Sequence, residues 1–337
     1  MYVNSRERLL NRINGKASDR IPNMNIVMMF AAREMGLTYG KIVRNAPLFV
    51  RGMELCYEKY GLDCLWAISD PMREATDLGA AVIVPEGDAV PYSPVPLVRD
   101  AEDILRLKLI RPEDGRAMSD RLEAVRRLHD YARGEVCVVG WVEGAFAQAC
   151  NLMGVQEFLM FMLEEPEAAH ELLDFCVELE LQFALAQIRA GADIVGVGDA
   201  ATSLIGPKWY RELAFEREKK LIDGIHEAGA LAKLHICGNI NPFLEPAAQT
   251  GCDILDCDHM VDMERAARLM SGKGCACGNF DPVSVVLQGT PEDVRRAALQ
   301  CADYGANTIV AAGCEIPVAA APANVLAVKQ ALCGRAG

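Results

Sequence analysis

The chain contains 337 residues, of which 51% are hydrophobic and 24% are charged, and its formal net charge is −13. This composition is typical of a globular protein with a large apolar core, and the negative charge disfavours binding to nucleic acid or to an anionic membrane. The length allows two domains, but single α/β barrels often reach it.

Cysteine is unusually frequent, with thirteen residues, an odd number. Residues 1–7 are charged and do not resemble an export signal, so we expect a cytoplasmic protein whose thiols stay reduced. The longest early apolar run, residues 26–32, is too short to span a bilayer. We therefore expect the cysteines to be core thiols, metal ligands or both.

Apolar runs alternate with helix signals along the chain. The pattern predicts helices at residues 5–13, 47–60, 118–128, 155–163, 166–191, 207–228, 263–270, 290–305 and 323–332. It predicts strands at residues 21–29, 62–68, 136–142, 194–197, 230–235, 254–256, 274–278 and 308–314, and a hairpin at residues 80–92.

A strand followed by a helix, repeated about eight times, predicts an α/β fold of the (β/α)8 TIM-barrel type. We expect one domain over residues 1–337, with an N-terminal helical extension and a small hairpin insertion. A doubly wound sheet is the alternative. No Gly-x-Gly-x-x-Gly loop opens a helix after a predicted strand, so a dinucleotide site is disfavoured.

Polar residues follow many of the predicted strands, where the active face of a barrel lies. They are Asp70, Glu143, Asp199, His235, Cys237, Asn239, Asp256, Asp258, Asn279, Asp281, Cys314 and Glu315. This set predicts a strongly acidic mouth with one group of soft metal ligands.

His235 and Cys237 are two residues apart at the end of a predicted strand, so their side chains leave on the same face. Cys314 follows another predicted strand, and in a closed barrel the two strand ends can meet. One imidazole and two thiolates suit zinc, with a fourth position open for chemistry. The alternative is a buried histidine beside two inert core thiols.

Glu143 and Asp199 are the candidate catalytic carboxylates, because each directly follows an apolar strand beside a glycine. Either can supply a fourth metal ligand or handle a proton near the substrate. Asn239 and Asn279, at two further strand ends, are the candidate cofactor-binding residues. His259, within the sequence Asp-Cys-Asp-His, is a candidate for a second polar cluster.

Several segments resemble the uroporphyrinogen decarboxylase superfamily, and within it the corrinoid-dependent methyltransferases. They are Leu234-His235-Ile236-Cys237-Gly238-Asn239, Gly278-Asn279-Phe280-Asp281-Pro282, Gly289-Thr290-Pro291-Glu292-Asp293-Val294 and Ala312-Gly313-Cys314-Glu315-Ile316-Pro317. The resemblance implies a TIM barrel and zinc bound by His235, Cys237 and Cys314. The region from Arg20 to Arg33 lacks the Arg-x-x-x-Arg arrangement of the decarboxylases, and an acidic mouth would repel a porphyrinogen.

The same resemblance implies methyl transfer involving cobalamin on a separate corrinoid protein, since no Asp-x-His-x-x-Gly signature is present. Two roles are open: demethylation of a small methylated donor, with a methyl ether (O-demethylase type) favoured, or transfer from methylcobalamin to a thiol such as coenzyme M. A uroporphyrinogen decarboxylase or a non-catalytic ligand-binding barrel are further alternatives. We expect a corrinoid carrier protein and a small substrate or thiol as partners, and leave open a homodimer.

Overall fold

The computed structural model describes residues 3–333, which form a curled sheet of seven parallel strands surrounded by helices. The strands are β1 (Cys64–Trp66), β2 (Cys137–Glu143), β3 (Ile194–Gly198), β4 (Leu231–Ile236), β5 (Ile254–Cys257), β6 (Cys275–Cys277) and β7 (Thr308–Ile309). Each strand pairs with the next one along the chain, which is the order of a TIM barrel.

Helices cover the outer face of the sheet. The α-helices are Ser5–Ile13, Met28–Glu34, Tyr39–Ile42, Ala46–Tyr60, Arg73–Asp77, Ala101–Arg106, Arg116–Ala132, Ala145–Met153, Val155–Glu164, Pro166–Arg189, Gly206–Trp209, Glu216–Glu227, Leu244–Ala247, Met263–Met270, Pro291–Ala302 and Pro322–Leu332. Short 3₁₀ turns occupy Ala200–Leu204 and Asn241–Phe243, and π turns occupy Tyr210–Phe215 and Pro282–Leu287. No helix among residues 3–333 combines the length and the apolar character needed to cross a membrane.

The predicted first strand, at residues 21–29, is wrong as a full strand. A single parallel bridge joins Asn23 to Val310, and a helix begins at Met28. The segment nevertheless links the two edges of the sheet. The amide of Met24 donates to the carbonyl of Val310 at 3.0 Å, and the amide of Asp63, just before β1, donates to the carbonyl of Asn23 at 2.8 Å. Proline at position 22 has no N–H to donate, which limits how far the ladder extends.

Of the other predicted elements, some have the predicted bounds and others are interrupted or shorter in the structure. The helix predicted at residues 207–228 is interrupted by the π turn Tyr210–Phe215, whereas the helix at Met263–Met270 has the predicted bounds. Helix Ala145–Met153 was not predicted. The hairpin insertion is reduced to one antiparallel bridge between Ile83 and Tyr92.

The helix that follows Thr290 has the local signals that the sequence predicts. The Thr290 side chain accepts a hydrogen bond from the amide of Asp293, and the Asp293 carboxylate accepts from the amide of Thr290. This capping box satisfies two backbone donors that would otherwise lack partners at the helix start. The capped helix packs beside Pro322–Leu332 and closes the outer layer next to β7.

Alternation along the strands divides the side chains into an inner and an outer set. In β2, a side chain at Gly140 would meet Gln187 of the outer helix Pro166–Arg189, so this position faces outwards. Trp141 therefore faces the barrel interior, where its ring lies against Trp66 of β1 and His235 of β4. The interior thus carries polar and aromatic side chains as well as the aliphatic ones typical of barrels.

Candidate metal centre

The three predicted metal ligands meet at the carboxyl ends of β4 and β7. Nε2 of His235 lies 3.0 Å from Sγ of Cys237, and this sulfur lies 3.8 Å from Sγ of Cys314. All three ligand atoms fall within 4.8 Å of one another, and they form the one such group among residues 3–333. The structure therefore brings together side chains that are 79 residues apart at the extremes, from His235 to Cys314.

The spacing of these atoms fits a tetrahedral ion. With Zn–S bonds of ~2.3 Å and Zn–N bonds of ~2.0–2.1 Å, neighbouring ligand atoms are about 3.8 Å apart for two sulfurs and about 3.6 Å for nitrogen and sulfur. The observed separation between the two sulfurs is 3.8 Å. The imidazole nitrogen, at 3.0 Å from Cys237, needs to move away by about half an ångström. A tetrahedral ion held by these three residues would keep a fourth position for another ligand.

Mutual contacts and burial shift the pKa values of the two thiols and the imidazole. The hydrogen bond with Cys237 lowers the pKa of Cys314 to about 4, and the same contact, together with burial, raises the pKa of Cys237. Burial lowers the pKa of His235, but the neighbouring Cys237 and Asp256 outweigh it and the net shift is upward. The cluster thus stabilises a thiolate, the form in which cysteine binds a metal.

Gly313 allows Cys314 to reach the centre. A side chain at position 313 would come within 2.3 Å of the backbone nitrogen of His259, so only glycine lets the two loops pass this closely. Beyond it, the carboxylate of the half-buried Glu315 accepts a hydrogen bond from the amide of Met29. Burial raises the pKa of Glu315 to about 8. Both contacts fix the segment that carries the cysteine.

Sequence reasoning missed Lys233, and it placed Asp256 only among the strand-end acids. Nδ1 of His235 lies 2.8 Å from Oδ2 of Asp256, but the angle between the two groups is not that of a well-formed hydrogen bond. Oδ2 of Asp256 also pairs with the ammonium of Lys233, which is fully buried. Burial alone would raise the pKa of Asp256, but Lys233 and His235 lower it to about 2. The sequence contains a signal for Lys233, because this lysine lies inside an apolar strand, two residues before a candidate metal ligand.

Trp141 forms the floor below the histidine. Its ring centroid is 6.1 Å from that of His235. Side chains at Gly196 or Gly198 would approach the indole to 2.3 and 2.7 Å, so these two glycines of β3 leave the room that the ring occupies. The aromatic ring therefore crosses β3 inside the barrel and separates the metal centre from the interior below it.

Glu143 lies in the same layer of the barrel as His235, two strands away. Residue 143 pairs with Gly198, and Gly198 pairs with His235, so about 10 Å separates the two backbones, and the glycine between them has no side chain. The Glu143 carboxylate contacts the buried guanidinium of Arg73 at 3.2 Å. Burial, partly offset by Arg73, raises the pKa of Glu143 to about 8.

Asp199 faces away from this centre. It follows the inward-facing Gly198, and its carboxylate accepts a hydrogen bond from the amide of Ala147 at 2.7 Å, on the helix side of the sheet. Its amide donates to the carbonyl of His235 at 2.9 Å. The structure therefore connects Asp199 to the centre through the backbone, while its side chain lies beside Glu218.

Asp199 and Glu218 form a buried pair of acids. Burial raises the pKa of Asp199 to about 7 and also raises the pKa of Glu218, and the Tyr210 hydroxyl donates to Glu218 at 2.5 Å. One oxygen of each carboxyl, Oδ2 of Asp199 and Oε1 of Glu218, has no hydrogen-bond partner. A proton shared between the two carboxyls would satisfy both oxygens, as in other coupled acid pairs.

This pair predicts a pH-dependent stability. Above the ordinary acid pKa near 4, the unfolded chain releases protons that the folded chain keeps, so stability falls as pH rises towards and beyond 7. Glu218→Gln supplies an amide donor to Asp199 and removes the need for the proton. Its stability relative to the natural chain should rise with pH by up to about 1.4 kcal/mol per unit. Urea unfolding at pH 5, 6, 7 and 8 measures this. The exposed Glu212→Gln variant is the control. If the free energies of unfolding of the natural chain and of Glu218→Gln change with pH in parallel, the shared proton is contradicted.

The two candidate cofactor-binding asparagines are engaged within loops. The side-chain oxygen of the exposed Asn239 accepts hydrogen bonds from the amide and side chain of Asn241, at 3.1 and 2.9 Å. The buried side chain of Asn279 donates to the carbonyls of Asp258 and Val261, both at 2.9 Å. Asn279 therefore holds the loop after β5 against the metal centre, and its amide has no donor left for a ligand.

His259 lies in that loop, between two acids. Its Nδ1 is 2.8 Å from Oδ1 of Asp258, and its Nε2 is 3.9 Å from Oδ2 of Asp281. The backbone of His259 touches Gly313, next to Cys314. The second polar cluster considered from the sequence is thus part of the rim of the metal centre.

The structure combines a barrel of seven parallel strands with a His-Cys-Cys group at its mouth. A family model described as uroporphyrinogen decarboxylase (URO-D) matches residues 4–333, and the chain belongs to this family. Among curated relatives, the methylcobamide:CoM methyltransferase MtbA of Methanosarcina mazei is 28% identical over 95% of both chains. MtaA of Methanosarcina barkeri, also a methylcobamide:CoM methyltransferase, is 25% identical over 92% of this chain and 91% of that protein.

Decarboxylases match over a smaller share of the chain. The uroporphyrinogen decarboxylase of Aeromonas salmonicida is 27% identical over 79% of this chain and 76% of that protein. Among solved structures, a methyltransferase from Methanosarcina mazei superposes with a TM-score of 0.85 at 22% identity and covers 98% of both chains. This similarity confirms the predicted barrel fold.

Proposed function

We propose that the protein is a corrinoid-dependent methyltransferase that uses zinc and passes a methyl group from methylcobalamin to a small thiol. The observation that carries this proposal is the convergence of His235, Cys237 and Cys314, whose ligand atoms all lie within 4.8 Å of one another. The two curated relatives named above, which are methylcobamide:CoM methyltransferases, match nearly the whole chain and support it.

The expected preference for a methyl ether donor is not favoured by the relatives. The activities of these relatives support the thiol alternative, in which coenzyme M is the acceptor. We therefore propose a small thiol of the coenzyme M type as the methyl acceptor.

His235, Cys237 and Cys314 would hold the metal at the mouth of the barrel, above the ring of Trp141. Zinc bound there supplies a Lewis acid that keeps an acceptor thiol in its nucleophilic thiolate form. The thiol proton has to leave when the acceptor binds. Glu143 is suited to exchange that proton with solvent, because its pKa of about 8 lies close to neutral pH and it faces the same layer as His235.

The mouth also presents apolar side chains to solvent. Leu204, Met260 and Val283 are 62%, 53% and 47% exposed, and they lie in the segments that follow β3, β5 and β6, at the end where the metal centre lies. Exposed apolar side chains around a polar centre are typical of a surface that contacts a partner. We propose that a corrinoid protein docks over this rim and brings its cofactor to the centre, which also excludes water from the reaction.

A methyl-transfer assay tests this proposal. The zinc-loaded protein is mixed with methylcobalamin, free or bound to a corrinoid carrier protein, and with a panel of small thiols. We expect methylated thiol and loss of the methylcobalamin absorption, with higher kcat/KM for the carrier-bound cofactor. This chain carries a net charge of −13, so we expect the carrier to present a basic rim and the rate to fall as salt rises. A parallel assay offers methyl ethers with cob(I)alamin. Methyl transfer from an ether to cob(I)alamin, without transfer to any thiol in the first assay, would overturn the choice of acceptor, and no transfer in either assay would overturn the enzyme assignment.

A further inference from the structure

A lysine is buried in the middle of the barrel, directly below the metal centre. Lys233 is fully buried, and its ammonium lies 5.1 Å and 5.4 Å from the ring centroids of Trp66 and Trp141. Two indole faces are a favourable environment for a cation. They do not replace the hydration that an ammonium loses on burial, so a charged partner is required.

That partner is Asp256, which faces two groups at once. The same carboxylate oxygen contacts the ammonium of Lys233 and lies 2.8 Å from Nδ1 of His235. Lys233 and His235 are two residues apart on β4 and so project on the same side, and Asp256 pairs with His235 in register across β4 and β5. The three side chains form a line from the barrel interior to the metal centre.

With a divalent metal bound, the charges along this line would also balance. Two thiolates, at Cys237 and Cys314, and the Asp256 carboxylate carry three negative charges. A divalent ion and the Lys233 ammonium supply three positive charges, and the imidazole is neutral when it binds a metal. Without the lysine, the buried group would keep one uncompensated negative charge.

We propose that Asp256 and Lys233 are positioning residues of the metal centre, which act through His235. The carboxylate holds the imidazole by its Nδ1 edge, so that Nε2 keeps its lone pair towards the two thiols. The ammonium balances the carboxylate inside the barrel and fixes its position. This inference rests on the metal site of the proposed function, because it assigns residues that support that site.

A buried ion pair can also serve only to hold the fold together. The pair of Arg8 and Asp63, 2.6 Å apart and buried at the opposite end of the barrel just before β1, is of that kind, since no metal ligand contacts it. What distinguishes Lys233 and Asp256 is the contact with His235. Metal affinity, measured separately from stability, therefore separates the two roles.

Three variants test the inference: Lys233→Met, Asp256→Asn and the double variant. The affinity of the metal-free proteins for zinc is measured by competition with a chromophoric chelator, and their stability by urea unfolding. Each single variant leaves one buried charge without its partner, so both stability and zinc affinity should fall, the latter ~10–100-fold. The double variant removes both charges at nearly constant volume and should recover stability but not zinc affinity.

Absorption of the Co²⁺-loaded proteins gives an independent readout. A changed orientation of the His235 ring should shift the d–d bands of the double variant relative to the natural chain, while the thiolate-to-cobalt bands remain. Arg8→Met is the matched control: it should lower stability and leave zinc affinity and the cobalt spectrum unchanged.

The outcomes distinguish this inference from the proposed function. Recovery of both stability and zinc affinity in the double variant, with an unchanged cobalt spectrum, would show that the pair serves only the fold and would overturn the inference. If a single variant does not fold, the double variant alone decides between these results. If the natural chain itself binds no zinc, the proposed metal site fails, whatever the variants do.

Discussion

Replacing Cys314 or Cys237 by alanine should abolish tight zinc binding and methyl transfer together. Each substitution removes one of three ligands that lie within 4.8 Å of one another. A lost thiolate ligand should weaken metal binding by more than the ~10–100-fold that is typical of residues behind the ligands. Elemental analysis of the purified variants and chelator competition measure the loss.

A core cysteine supplies the control for this experiment. Cys176 lies fully buried in helix Pro166–Arg189, and burial raises the pKa of its thiol. Cys176→Ala should lower the free energy of unfolding through the cavity it creates and leave the zinc content unchanged. Zinc retained at one ion per chain in Cys314→Ala and Cys237→Ala would refute the ligand assignment.

Glu143→Gln should lower turnover about 100-fold or more, the usual contribution of a group that transfers a proton, while zinc stays bound. The amide keeps the size of the side chain but cannot take up a proton. If thiol methylation requires the ionised carboxylate, the rate of the natural protein should rise with pH through about 8, the pKa of Glu143. The variant should lack this rise. The charged groups around Glu143 are Arg73, Glu74, Asp70, Glu180 and Asp199.

Asp199→Asn is the informative comparison for Glu143→Gln, since the sequence makes Glu143 and Asp199 equally plausible as the catalytic carboxylate. We expect a smaller loss of turnover than for Glu143→Gln, because the Asp199 side chain lies on the helix side of β3. The exposed Glu212→Gln controls for the general effect of removing an acid. Full turnover in Glu143→Gln with zinc bound would remove Glu143 from the mechanism, and a larger loss in Asp199→Asn would reverse the two assignments.

The alternation of apolar runs and helix signals was sufficient to predict the barrel. Parallel strands buried on both faces are continuously apolar, and helix starts such as Thr290 carry their own capping signals. Local patterns failed where a long-range contact decides the structure. Residues 21–29 look like a strand, but only the pairing of Asn23 with Val310, far along the chain, determines how much of the segment joins the sheet.

The meeting of the three candidate metal ligands could be predicted because two rules apply to them directly. Side chains at i and i+2 of a strand share a face, which joins His235 to Cys237, and the carboxyl ends of barrel strands meet, which adds Cys314. The outward direction of Asp199 was not predictable from a strand end alone. It depends on where β3 stops and on the helix Ala145–Met153 that receives the carboxylate.

The sequence by itself thus determined the barrel architecture and the three candidate ligands, because both depend on periodicity along the chain. Only the tertiary structure decided what lies behind the ligands. Asp256 contacts Lys233 and His235 because β4 and β5 are paired in register, and Trp141 reaches His235 because β3 carries glycines where its ring passes. Such contacts join residues on different strands, and no local pattern records them.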